Sequence, residues 1–300
     1  MFDILIIGGG PAGIAAAIYA KRANKKVAVI EKLVPGGQVA LIGEIENYPG
    51  FDKINGSDLS MKLFNHANRL GIEFIFDEAI KYDLKGKIKK VKCKNNEYEA
   101  YSVILALGSA SKELNVAGEK EFFGKGVSYC AMCDGNFYKN KPVAVVGSGD
   151  SAISNALYLA NICSKVHLFT KNELKLKVYK EEKALTVKNL ILHRGAEISK
   201  ISGKENVSSI EFIENNKEQS CNVDGVFVAI GRTPDTSALK GEIELDDKGY
   251  IVTTDNVKTS AQGVYACGDV VKGTLKQIVV ASAMGAEAAT EAIKYVAEIN

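Results

Sequence analysis

Cys130-Ala131-Met132-Cys133 sets two thiols close enough to form a small disulfide ring, and Asp134-Gly135 follows at once. Such a pair can exchange disulfides: one accessible thiolate attacks a partner disulfide and the second resolves the mixed disulfide. A neighbouring carboxylate would raise a thiol pKa, because like charges oppose each other. Asp134 therefore reads better as a proton donor to a departing thiolate. Two other readings compete. A zinc site needs a second pair at ligand spacing, but Cys93, Cys163, Cys221 and Cys267 are isolated, and three histidines are too few for a His-rich site; no metal is expected. The other is an inert buried pair, and the redox dithiol is the reading preferred over both.

The elements around the dithiol begin at the N-terminus. Asp3 to Ile7 is a short apolar run, the pattern of a buried parallel strand. Gly8-Gly9-Gly10-Pro11-Ala12-Gly13 fits G-x-G-x-x-G, Ile14 to Ala23 is Ala-rich at helical spacing, and Lys26 to Ile30 is a second strand ended by Glu31. That strand–turn–helix–strand context is what a dinucleotide fingerprint requires. The glycines let backbone approach a pyrophosphate, the helix N-terminus offers N–H donors, and Glu31 can accept ribose hydroxyls. Pro35-Gly36-Gly37-Gln38 and Glu46-Asn47-Tyr48-Pro49-Gly50 are punctuated loops, either surface turns or loops reaching along a cofactor. Asp58 to Leu70 has the spacing of an amphipathic helix, and residues 72 to 105 read as short strands, the last of them ending near Gly108.

The chain repeats itself. ILIIGGGPAGIAAAIYAKRANKKVAVIEK (Ile4–Lys32) aligns without a gap on VAVVGSGDSAISNALYLANICSKVHLFTK (Val143–Lys171), matching Gly8 with Gly147, Gly10 with Gly149 and Gly13 with Ala152. The match fails where an adenosine would be read: Thr170 stands at the position of Glu31. The second unit thus lacks the ribose carboxylate of an NAD site and the arginine pair that suits a 2′-phosphate. It offers Thr170, Lys171 and Asn172, then Lys175 and Lys177, and reads as a retained fold that no longer binds a nicotinamide nucleotide. Farther on, Val223 to Ile230 is an apolar strand. Cys267-Gly268-Asp269-Val270 puts an aspartate just past another, where it can either cap a turn or accept bonds from a polyol. Ile278 to Tyr295 is a closing Ala-rich helix.

A net charge of +2 with interspersed signs gives no polyanion-binding signal, so nucleic acid is not an expected partner. Hydrophobic content of 46% lets each of two domains form a core. No apolar run reaches the length of a membrane span. The sparse, scattered cysteines do not form a secreted disulfide framework, so a cytoplasmic setting is expected.

Taken together, these residues resemble the low-molecular-weight thioredoxin reductases essentially from end to end. The markers are Gly8-Gly9-Gly10-Pro11-Ala12-Gly13, Gly36-Gly37-Gln38, Glu46-Asn47-Tyr48-Pro49-Gly50, Cys130-Ala131-Met132-Cys133-Asp134-Gly135, Gly147-Ser148-Gly149-Asp150-Ser151-Ala152, and Gly268-Asp269-Val270 followed by Lys276-Gln277. The resemblance implies an α/β fold of two three-layer ββα/Rossmann-like nucleotide-binding domains, the second inserted into the first: 1–114 plus 245–300 for FAD, and 115–244 for the dithiol. It implies a homodimer with thioredoxin as substrate. Cys133 would face the flavin, Cys130 would attack thioredoxin, and Asp134 would handle the proton. FAD contacts are implied for Gly8, Gly10, Pro11, Ala12, Gly13, Glu31 and Lys32, for Gly37, Gln38, Asn47 and Gly108, and for Gly268, Asp269, Lys276, Gln277 and Ile278. Members that use NADPH carry H-R-R-x-x-x-R after the second-unit strand. Here those positions read Thr170-Lys171-Asn172-Glu173-Leu174-Lys175-Leu176. That departure looks like the ferredoxin-dependent flavin thioredoxin reductases, so reduced ferredoxin is the expected donor. NADPH or NADH is the alternative, and a non-catalytic flavin/dithiol redox sensor is the alternative of another class.

Overall fold

The structure is a computed structural model and describes residues 1–171 and 186–299. It separates into two compact units, Met1–Ala110 with Thr233–Asn300, and Ser111–Arg232. The return crossing falls earlier than the expected 244/245 because Leu239 and Ile243 are buried in the core of the first unit.

In the first unit the strand Phe2–Ile7 lies in parallel between Val27–Glu31 and Glu97–Leu105, and Glu73–Phe76 pairs with Val27–Glu31 beyond. The free edge of Glu97–Leu105 takes antiparallel Lys89–Cys93 along its first half and parallel Val264–Ala266 along its second. Ala79–Asp83 completes that meander. Ile4, Leu5 and Ile6 are fully buried, as a strand covered on both faces requires. The helix Pro11–Arg22 starts with proline at its first turn, where the missing N–H costs nothing, and packs against the closing helix Ile278–Ile299. The approach is close: a Cβ on Gly285 would stand 2.0 Å from the Ala12 carbonyl oxygen. The amphipathic stretch forms the helix Gly56–Arg69, burying Leu59 and Ala67.

The second unit has a five-stranded parallel sheet in the order Val127–Ser128, Gly225–Val228, Pro142–Val146, Lys165–Thr170, Leu190–Arg194. A three-stranded antiparallel sheet, Glu197–Gly203, Val207–Glu214 and Lys217–Asn222, belongs to the same unit. The helix Asp150–Ala160 connects Pro142–Val146 to Lys165–Thr170, so the sequence repeat is a structural repeat. Gly8 and Gly147 both have positive φ, and a Cβ on either would lie within 2.4 Å of a strand-end carbonyl oxygen, that of Ala106 or of Ala229. The fold is α/β with two Rossmann-like sheets, as the glycine loops led one to expect.

Candidate active site

Cys130 and Cys133 are joined as a disulfide. Val127–Ser128 delivers the chain to Cys130, which caps the one-turn helix Ala131–Asp134 and accepts the Cys133 N–H on its Sγ at 3.2 Å. Met132, between the two cysteines in sequence, is exposed, whereas both cysteines are half-buried. Asp134 is mostly enclosed, and burial raises its carboxyl above the ordinary carboxylate range, against an opposing pull from the Ser128 hydroxyl. That hydroxyl donates to Asp134 Oδ2 at 2.5 Å and accepts the Cys130 N–H at 3.0 Å. The sequence reading missed Ser128. Its only local sign was a serine two residues ahead of a cysteine, the spacing of an ST-turn. The other thiols are free, and burial pushes them up, Cys163 and Cys221 to about 11, Cys93 and Cys267 to about 12. None of them offers a thiolate near neutral pH, which leaves the disulfide pair for exchange.

In the first unit the predicted residues gather at the carboxyl ends of the parallel strands, where open α/β sheets bind ligands. Gly8 turns the chain out of its strand, and Gly10 has open space where a Cβ would stand. Gly13 has none: a Cβ there would fall 1.8 Å from the Gly8 oxygen. Pro11 and Ala12 form the first turn of the helix, so its unpaired N–H groups face the loop. Glu31 is buried and holds the loop from below, Oε2 accepting the Gly9 N–H at 2.7 Å and Oε1 the Leu33 N–H at 2.8 Å. Gly37 lies against Gly10, and Gly36 donates to the Gly9 carbonyl. Gln38 donates to the Ser109 carbonyl at 2.7 Å, next to Gly108, which has positive φ. Asn47 donates to Gln277 at 3.1 Å, beside Ile278 at the start of the closing helix. Gly268 packs on Ala12 and opens the turn that carries Asp269.

Two of the predicted cofactor residues have other work in view. The Lys276 ammonium donates to the carbonyls of Asp269 and Val271 and to the Thr274 hydroxyl, bracing the loop that presents Asp269. Lys32 forms an exposed 2.8 Å ion pair with Asp235.

In the second unit Thr170 is buried and its hydroxyl reaches the His193 carbonyl at 3.3 Å, so it turns inward at the position where Glu31 holds its loop. Lys171 pairs with Glu197 at the surface. Asn172, Glu173, Leu174, Lys175, Leu176 and Lys177 lie outside the described residues. The strand register supplies a cation that the sequence reading did not consider: Arg194 lies directly opposite Thr170, at the same sheet end. Its distance along the chain hid it. Among the described residues no His/Cys/Asp/Glu group is arranged to hold a metal, and no helix is long and apolar enough to cross a membrane.

A family model described as Pyridine nucleotide-disulphide oxidoreductase matches residues 2–285. A thioredoxin reductase of Peptoclostridium acidaminophilum is 42% identical over 99% of this chain and 97% of that protein. The chain belongs to the thioredoxin reductase family. The crystal structure of thioredoxin reductase from Streptococcus pyogenes superposes with a TM-score of 0.95 at 36% identity, covering 99% of both chains. A ferredoxin-flavin thioredoxin reductase from Clostridium acetobutylicum is similar at 31% identity and a TM-score of 0.55, covering 99% of this chain and 98% of that one.

The cofactor of this family is FAD, and the first unit fits it. The open face at Gly10 leaves room for a pyrophosphate over the helix N-terminus; Glu31, Asp269 and the start of the closing helix are the residues that would hold the rest of the cofactor. FAD, when bound, supplies a two-electron reductant in this unit.

Proposed function

We propose that this thioredoxin reductase family member reduces the disulfide of thioredoxin through Cys130 and Cys133. The observation that carries this reading is the closed Cys130–Cys133 disulfide beside a mostly enclosed Asp134, whose carboxyl burial raises above the ordinary carboxylate range. In the reduced enzyme the Cys130 thiolate attacks one sulfur of the thioredoxin disulfide. The Cys130–thioredoxin bond forms as the thioredoxin disulfide breaks, and the expelled thiolate takes the proton of Asp134. The Cys133 thiolate then attacks Cys130 Sγ, closing the disulfide and releasing the second thioredoxin thiolate, which is protonated from solvent. Two electrons pass to thioredoxin, and the enzyme dithiol is oxidised. A homodimer in a reducing cytoplasm is part of the same reading.

The donor we assign is a reduced pyridine nucleotide, replacing the ferredoxin expected from the sequence. The family description names that nucleotide class, and the 42% identical relative is named simply a thioredoxin reductase. Arg194 beside Thr170 supplies a cation at the adenosine end, which favours NADPH over NADH. The second reading, reduced ferredoxin, is favoured by the inward turn of Thr170 where a ribose carboxylate would stand.

Anaerobic mixing with NADPH, NADH and reduced ferredoxin, followed at the flavin absorbance, tests the donor. NADPH is expected to bleach the band fastest, and Arg194→Ala to weaken NADPH binding about tenfold, the scale of one lost charge-assisted bond. Bleaching by reduced ferredoxin alone would transfer the assignment to the second reading. Capture of thioredoxin without multiple turnovers would turn it into a redox sensor.

A further inference from the structure

We propose that Ser128 is a positioning residue for Asp134: its hydroxyl fixes which carboxyl oxygen bears the transferable proton and holds that proton within reach of thiol chemistry. The inference rests on the proposed role of Asp134 as the acid.

Ser128 ends the strand Val127–Ser128, buried and held by parallel pairing to Phe227. Its Oγ is a branch point. It accepts the Cys130 N–H at 3.0 Å, and its single proton points to Asp134 Oδ2 at 2.5 Å, with the Cys130 carbonyl a distant third at 3.4 Å. One hydroxyl therefore ties the peptide of the attacking cysteine to the carboxyl group four residues past it. Among the described residues Asp134 Oδ1 has no hydrogen-bond partner. An oxygen that already accepts a short bond is the poorer place for a proton, so the acid form carries its hydrogen on Oδ1, the atom free to give it away.

The same contact sets the strength of the acid. Enclosure disfavours the carboxylate, and a donor aimed at Oδ2 favours it. Among the described residues the dithiol itself and the phenol of Tyr138 lie around Asp134, and Tyr158 of the helix Asp150–Ala160 packs against the adjoining Gly135. The Tyr138 phenol is pushed up to about 12 by burial first, then by Asp134 and Asp224, and so stays neutral through the working range. Removing the Ser128 hydroxyl deletes the one hydrogen bond that stabilises the charged carboxylate. Asp134 then holds its proton to higher pH, while losing the orientation that makes the proton useful.

The test is single-turnover reduction of thioredoxin disulfide by pre-reduced protein, measured against pH, with a small aliphatic disulfide run in parallel. Wild type should lose rate on an alkaline limb as Asp134 ionises, and Asp134→Asn should lack that limb. Ser128→Ala should move the limb upward by about one pH unit and lower the plateau about tenfold, the scale of one hydrogen bond to a charged group. Ser128→Thr, which keeps the hydroxyl, should restore both. Flavin absorbance and the thiol count after reduction confirm that each variant is folded. A Ser128→Ala limb that superimposes on wild type, or moves down, overturns the proposal, because a merely structural role lowers the rate at every pH without shifting it. An alkaline limb that survives in Asp134→Asn ends the reading of Asp134 and this proposal with it. Failure on thioredoxin with the pH series intact on the small disulfide removes only the thioredoxin assignment and leaves Ser128 standing.

Discussion

Glu31 shows how one side chain can serve the fold and a proposed cofactor contact together. Its two oxygens accept backbone N–H groups from Gly9 and Leu33, so the side chain proposed for the ribose also supports the glycine loop. Glu31→Ala would leave the buried Gly9 donor unsatisfied, at a cost of about 1–3 kcal/mol, and release the Leu33 N–H to solvent. The expected result is loss of FAD during gel filtration and a lower thermal midpoint, with the dithiol still able to close. In the proposed exchange the two cysteines are not equivalent. With Cys133→Ser, Cys130 can attack but nothing resolves the mixed disulfide, so multiple-turnover thioredoxin reduction should fall by at least about a hundredfold and a covalent complex should be visible on a non-reducing gel. FAD content should be unchanged in that variant, because the dithiol belongs to the other unit.

The repeated strand–loop–helix elements differ at one informative place. In the first, Gly13 leaves no room for a Cβ beside the Gly8 oxygen; in the second, Ala152 already carries one. Gly13→Ala should therefore cost about 1–3 kcal/mol by overpacking and release FAD, whereas Ala152→Gly should leave FAD binding alone. Another prediction belongs to two adjacent strands of the inserted unit. His167 Nδ1 lies 3.0 Å from His193 Nε2, and His193 Nδ1 lies 3.5 Å from Glu214. His167 is held down to about 4, first by burial, then by His193 and Lys165. The unfolded chain takes up this proton near pH 6.5 and the folded one only near 4, so stability is full above 6.5 and falls as the pH drops through that window. The thermal midpoint of wild type should decline between those values, more steeply than that of His167→Phe.

These elements also show what was legible beforehand. The glycine loops, the buried strands and the C-x-x-C-D-G motif are local patterns, and local geometry follows directly from them. Arg194 beside Thr170, Lys276 bracing Asp269, and Ser128 on Asp134 depend on strand register or on which way a side chain turns, and neither is written in spacing. The return crossing is another case: Leu239 and Ile243 look like any apolar residues until the core that buries them is known.

At the scale of the whole molecule, the proposal gives one chain two redox stations in separate units: FAD in residues 1–110 and 233–300, and the disulfide observed in residues 111–232. The account requires both stations to accept electrons in the same protein. Anaerobic reductive titration with dithionite, followed at the flavin band together with a thiol count, measures this directly. A disulfide takes two electrons and a flavin two more, so the account predicts about four electrons per chain for wild type and about two for Cys133→Ser. Wild type that takes up about two electrons and exposes no new thiols, or protein that neither contains nor rebinds FAD, would contradict it.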